Sequence, residues 1–150
     1  MNEAIKQASD SLAKLLAQQI NRKLEAENMI KENNIPLFAL ESKDSLLNFD
    51  ILGFTLQYEM SYTNVLAMLE LSGIPLLSEE RGKEHPFICA GGPCAVNPEP
   101  MADIIDFFIV GEGEEVIAEV MDVYREYKKE GSNNRDEFLL KVSELDGVYV

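Results

Sequence analysis

The clearest periodic signal lies near the amino terminus. Leu12, Leu16, Ile20 and Leu24 recur every four residues, and Leu15, Met29 and Ile30 widen the stripe. That spacing predicts an amphipathic helix. Ser9, Asp10 and Ser11 supply N-cap oxygens, and Asn33, Asn34 and Pro36 end the helix, because proline pushes the residue before it out of the helical region. The period then changes. Residues 35–40 form a short apolar run with a proline near its start, which predicts a first strand. Residues 50–57 form a second, continuously apolar strand of the kind covered on both faces.

Helical spacing returns over residues 61–72, with Val65, Met68 and Leu69 facing inward and Gly73 as the stop. Residues 75–85 hold Glu79, Glu80, Arg81 and Lys83 and read as a surface loop. A third strand over 86–90 runs into Gly91 and Gly92. Pro98 and Pro100 break the chain before a short helical stretch at 101–105, and a fourth strand covers 106–110. Beyond Gly111-Glu-Gly113, Val116, Ile117, Val120, Met121, Tyr124 and Tyr127 share one side of a long helix. A last helix over 136–143 leads to Gly147-Val-Tyr-Val150.

Alternating helices and strands predict an α/β chain: a flavodoxin-like, doubly wound parallel sheet of four to five strands with helices on both faces and an N-terminal helix. Residues 1–34 are expected to be that helix, 35–131 the α/β core, and 132–150 a helix and linker.

Charge narrows the partners. The 27 acidic and 13 basic side chains give 150 residues a net charge of -14, which disfavours nucleic-acid phosphates and anionic lipid. No apolar run approaches the ~20 residues of a membrane span. With no signal-peptide pattern and only two cysteines, a cytoplasmic location is expected. Candidate chemistry is thin. His85 is the only histidine, and Cys89 and Cys94 are too few to hold an iron–sulfur cluster alone. No metal site and no catalytic residue is expected.

Ligands of an open parallel sheet bind at the carboxyl ends of its strands. Three such ends stand out: Gly53 to Glu59, where the hydroxyl and amide groups of Thr55 and Gln57 follow a buried strand, the Cβ-free pair Gly91-Gly92, and Gly111-Glu112-Gly113 ahead of a helix. Neither a GxxxxGK[ST] nor a GxGxxG phosphate cradle is present. Cys89 is expected to be buried in its strand and Cys94 more accessible beyond the turn; a thiol redox pair is a further, weaker reading.

On these residues the stretch from Ile35 to Tyr127 resembles the N-terminal, cobalamin-binding-like domain of an uncharacterised group of radical S-adenosylmethionine (radical SAM) proteins. The match is carried by Phe54-Thr-Leu-Gln-Tyr-Glu59, Ser78-Glu-Glu-Arg81, Ala90-Gly-Gly-Pro-Cys-Ala95, Asn97-Pro-Glu-Pro100 and Val110-Gly-Glu-Gly-Glu-Glu115. The resemblance implies that the nucleotide tail of cobalamin enters between sheet and helices, near Thr55, Gln57, Gly91, Gly92, Gly111, Glu112 and Gly113. It places the iron–sulfur cluster and S-adenosylmethionine in a downstream domain, and it makes that radical SAM domain, of the same or a neighbouring chain, the partner.

The departures shape the expectation. The D-x-H-x-x-G loop that gives base-off cobalamin domains their cobalt ligand is missing, as are the family's opening strand and a CxxxCxxC motif. The chain therefore reads as a fragment or reduced relative of a larger enzyme: an accessory domain, not catalytic alone, whose cobalamin binding is weak at best. Its exposed strand edge suggests self-association. The alternative is an interaction or scaffold domain that kept the fold and lost the cofactor.

Overall fold

The computed structural model describes residues 25, 27–30, 32, 33 and 35–150. The chain divides into two units, Met1–Pro36 and Leu37–Val150. In the first, residues 25, 27–30 and 32 are helical. The Asn33 side-chain amide donates to the Met29 carbonyl at 2.8 Å, which caps the carboxyl end there. Most of the expected N-terminal helix, with the Leu12 to Leu24 stripe, lies outside the described residues.

The second unit is built on a four-stranded sheet, β1 (Ile51–Thr55), β2 (Phe87–Gly91), β3 (Phe107–Ile109) and β4 (Val148–Tyr149), in that spatial order. β1, β2 and β3 are parallel, and β4 runs antiparallel to β3. Its helices are α1 (Tyr62–Leu71), α2 (Gly113–Glu130) and α3 (Arg135–Ser143). This is a mostly parallel α/β sheet consistent with a flavodoxin-like fold.

Two local expectations fail. Residues 35–40 add no strand to the sheet; Phe38 makes only an isolated antiparallel bridge to Ser45, and Ala39 exchanges backbone hydrogen bonds across a tight turn at residues 39–44. The run is apolar but stays largely uncovered among the described residues, with Leu40 81% exposed. The fourth strand position belongs instead to β4, whose antiparallel course follows from the α2–α3 hairpin that returns the chain. Met68 of α1 also faces outward, leaving Val65 and Leu69 as its buried residues.

Strand alternation sorts the core into two faces. Ile88, Ala90 and Phe108 point to one, covered by Val65 and Leu69 of α1 and by Ala95 and Met101 from two 3-10 turns. Phe87, Phe107 and Ile109 point to the other, under Val120, Tyr124 and Tyr127 of α2 and Phe138 and Val142 of α3. Phe138 is fully buried, its ring 4.4 Å from that of Phe87 and 5.5 Å from that of Tyr124.

At the amino ends of β2 and β3 a charge is buried. The Asp106 carboxylate accepts from Arg81 Nη1 at 3.0 Å, Arg135 Nη2 at 3.0 Å and the Ile88 amide at 2.6 Å. Arg81 also donates to the carbonyls of Pro75, Leu76 and Ile104. Thus Arg81, expected on a surface loop, is only 5% exposed. Arg135 stacks 4.0 Å above the Phe87 ring and donates to the carbonyl of His85. One carboxylate so joins β2, β3, the 75–81 loop and α3.

Removing one partner from such a pair leaves the other charge buried alone, typically at about 3–5 kcal/mol. Asp106→Ala is therefore expected to lower unfolding free energy by about that amount in urea titration, and Asp106→Asn by less. A loss below about 1 kcal/mol for the alanine variant would show that the carboxylate does not hold these elements together.

Candidate functional site

Side-chain height varies across the face that α2 covers. The register pairs Ile51 with Phe87, Gly53 with Cys89, Cys89 with Phe107, and Thr55 with Gly91. Bulk is concentrated on β3 and at the start of β2, so α2 rests there through Val120, Tyr124 and Tyr127. Over Gly53, Cys89 and Gly91 the floor drops. The space left open is a trough of about 650 Å³ along β1, walled on the helix side by Ile117, Met121 and Tyr124. Ile117 remains 53% exposed above it.

Thr55, Gly91, Gly92, Gly111 and Gly113, singled out in the sequence, all line this trough. Gln57 and Glu112 do not; both are exposed outside it. The buried Leu56 explains the first case, since its backbone is tied to β2 by Leu56 N–H to the Gly91 carbonyl (2.8 Å) and Cys94 N–H to the Leu56 carbonyl (3.0 Å).

The glycines serve different ends. Gly92 has a φ of 96°, and a Cβ on it would lie 3.1 Å from both the Leu56 carbonyl oxygen and Thr55 Cγ2. Its glycine is demanded by the turn. Gly53 and Gly91 are outside the left-handed region, and a Cβ on either would meet its nearest atom at 3.5 Å, an ordinary contact. Gly53, which opens the first strand end marked in the sequence, also lines the trough without being among the candidate binding residues, although a glycine inside an apolar strand is a signal of close approach or a bulge.

Polar chemistry in the trough is sparse. At its amino end Asp50 Oδ1 accepts from the Tyr124 hydroxyl (2.6 Å) and from Lys128 Nζ (3.0 Å). These bonds, Tyr124 first, hold the Asp50 carboxyl below its usual range, while burial, followed by the bond to Asp50, pushes Tyr124 up to about 12. Cys89 is half-buried in the floor, and burial, followed by the Asp106 charge, raises its thiol to about 11. Cys94 packs on the opposite face with the α1 core. The two thiols are free and belong to different cores, which removes the support for a redox pair.

His85 lies before β2, its Nδ1 accepting the Gly82 amide at 3.0 Å. Together with Lys128 and Arg135 it lines a polar recess of about 330 Å³, which adjoins the trough and shares Phe49, Asp50 and Tyr124 with it. Among the described residues no group of three or more His, Cys, Asp or Glu is placed to hold a metal ion, and no helix is long and apolar enough to cross a membrane.

The family profile for the N-terminal domain of radical SAM proteins matches residues 10–150. The chain belongs to this family. Among curated proteins, an uncharacterized protein of Methanocaldococcus jannaschii is 34% identical over 104 residues, which is 67% of this chain and 21% of the relative. The chain thus corresponds to about a fifth of that protein. No solved structure matches. For this radical SAM N-terminal domain, the trough is the feature that gathers most of the residues the sequence marked.

A thiol at about 11 stays protonated at neutral pH and is unreactive toward alkylation. In a Cys94→Ser chain, iodoacetamide labelling of Cys89 is expected to quicken about tenfold per pH unit up to about pH 11. A plateau reached near pH 8.5, the range of an ordinary free thiol, would contradict the burial of Cys89.

Proposed function

We propose that this chain is the accessory, non-catalytic domain of a radical SAM protein and that the trough along β1 is its ligand slot. The observation that carries the reading is the convergence of Thr55, Gly91, Gly111 and Gly113 on one cavity in a chain of this family. Strand ends and a helix start meet there, the usual location of a ligand in an open parallel sheet. The relative's much greater length supports a further domain that carries cluster and S-adenosylmethionine, in the same or a neighbouring chain. A cytoplasmic setting fits two free thiols.

Cobalamin, which the family resemblance brings to this slot, fits the residues poorly. Tight base-off binding needs a cobalt donor, and His85 belongs to a different recess with its Nδ1 already engaged. Among the described residues, the lining holds no lysine, arginine or histidine to meet the phosphodiester of the nucleotide tail. Apolar contact with the floor remains as the source of affinity.

Two measurements test this reading. Hydroxocobalamin titrated calorimetrically is expected to bind with Kd above roughly 1 µM, less than about 8 kcal/mol of binding free energy. Stoichiometric nanomolar binding would restore cobalamin as the resident cofactor. After anaerobic iron–sulfide reconstitution the chain alone is expected to take up no stoichiometric cluster, because Cys89 and Cys94 face different cores. Cluster uptake with reductive cleavage of S-adenosylmethionine would overturn the accessory role.

A further inference from the structure

Gly53 and Gly91 lie diagonally across β1 and β2 on the face of the trough, the first paired with Cys89 and the second with Thr55. Glycine inside a strand weakens it, through lost chain entropy and the absence of a side chain to pack. Neither position has a left-handed φ, and each has room for a Cβ. The turn geometry that explains Gly92 is therefore no explanation for these two. What both glycines achieve is two patches of bare backbone on neighbouring strands about 4.8 Å apart, a low floor with Cys89 beside the first and Thr55 beside the second.

The charges of the lining define what such a floor receives. Among the described residues of the lining, Asp50 alone carries a full charge at neutral pH, and it is occupied by Tyr124 and Lys128. None of these described residues is a cation. Glu112, Glu114 and Glu115 flank the glycines at its carboxyl end, in a chain of net charge -14. An anion entering there meets three carboxylates at the start of α2, whose like charge opposes the attraction of the helix's amino terminus. Apolar surface is waiting to be covered: Ile117 is half-exposed and Ile51 only partly buried. For hydrogen bonding, the exposed Thr55 hydroxyl stands at one end of the floor.

We propose that the trough binds an uncharged, flat, largely apolar molecule laid against the backbone of Gly53 and Gly91, and that it discriminates against phosphate-bearing or other anionic ligands. This assignment rests on the reading of the trough as the ligand slot of an accessory domain, and it names the class of ligand. The occupant is recognised by shape and by the absence of charge, with Thr55 as the orienting group.

The test uses the full 150-residue chain and two dyes of similar size, neutral Nile red and anionic anilinonaphthalene sulfonate. Nile red is expected to saturate one site per chain with a blue-shifted emission, and the anionic dye to bind at least tenfold more weakly. Gly53→Leu and Gly91→Leu, which place a side chain where the ligand would lie, are each expected to weaken Nile red at least tenfold with the circular dichroism spectrum retained. If neither variant folds, protection of Cys89 decides: in a Cys94→Ser chain at pH 10, saturating Nile red is expected to slow alkylation of this floor residue at least tenfold. Equal or tighter binding of the anionic dye overturns the proposed ligand class. So does Nile red binding that both leucine variants leave unchanged, or that leaves Cys89 unprotected. These outcomes are separable from failure of the accessory-domain reading, which would show as cluster uptake by the chain alone and would leave the dye preference standing.

Discussion

The Asp106 carboxylate is a charge buried at the amino ends of β2 and β3, and its satisfaction determines how the surrounding elements meet. Two guanidinium groups and the Ile88 amide converge on it, and those guanidinium groups reach on to carbonyls at Pro75, Ile104 and His85. A buried ion pair is a weak source of net stability, because desolvation offsets most of the attraction. Its effect here is geometric. Only one arrangement of the 75–81 loop, the start of α3 and the two central strands lets both arginines be bonded at once. The amino end of the sheet is therefore specified by polar groups, while the face above β1 is left to apolar contacts.

That division explains where the trough lies. Arg135 begins α3 and is held against Phe87, which sets Phe138 over the amino half of the face and Tyr124 beside it. With the hairpin of α2 and α3 seated on β2 and β3 in this way, no helix among the described residues covers β1 on that face. A strand with apolar residues on both sides consequently ends as an edge strand, with Ile51, Leu52 and Phe54 only partly covered. The glycines deepen the gap. Each strand glycine costs roughly 0.5–1 kcal/mol relative to alanine, a cost that the fold's own sterics at Gly53 and Gly91 do not require.

Elements with strong periodicity were legible in the sequence. α1, α2, β2 and β3 fall within a residue or two of the expected bounds, because their apolar residues have a layer to face. Residues 35–40 have the same local composition as a strand and, among the described residues, lack that layer, a difference that no window of sequence contains. Arg81 is the sharper case. Its neighbours Glu79, Glu80 and Lys83 mark a solvated loop, and only the folding of Asp106, 25 residues away, turns that arginine inward. β4 was hidden because a two-residue strand is too short for a period. At the site, Thr55 and four of the glycines were legible from their position at strand ends. Gln57 and Glu112 follow only by adjacency, and Gly53, although it opens the first of those strand ends, lies inside an apolar run whose pattern gives it no binding role.

Binding to the trough would act back on the fold. A ligand that recognises only the native state stabilises it by RT ln(1 + [L]/Kd), about 2.7 kcal/mol at a hundredfold excess over Kd. That is comparable to what two strand glycines and a half-covered β1 forgo, so a modest affinity suffices to restore the missing packing. The gain reaches β1 first, since the other strands on this face already lie under α2 and α3. Occupancy would thus be felt as order in β1 and in the turn beyond Thr55, where Tyr58 and Met60 are exposed. Those residues follow directly from the ligand floor, and their position makes the filled or empty state of the trough readable at the carboxyl edge of the sheet, on the side opposite the ion network that fixes the fold.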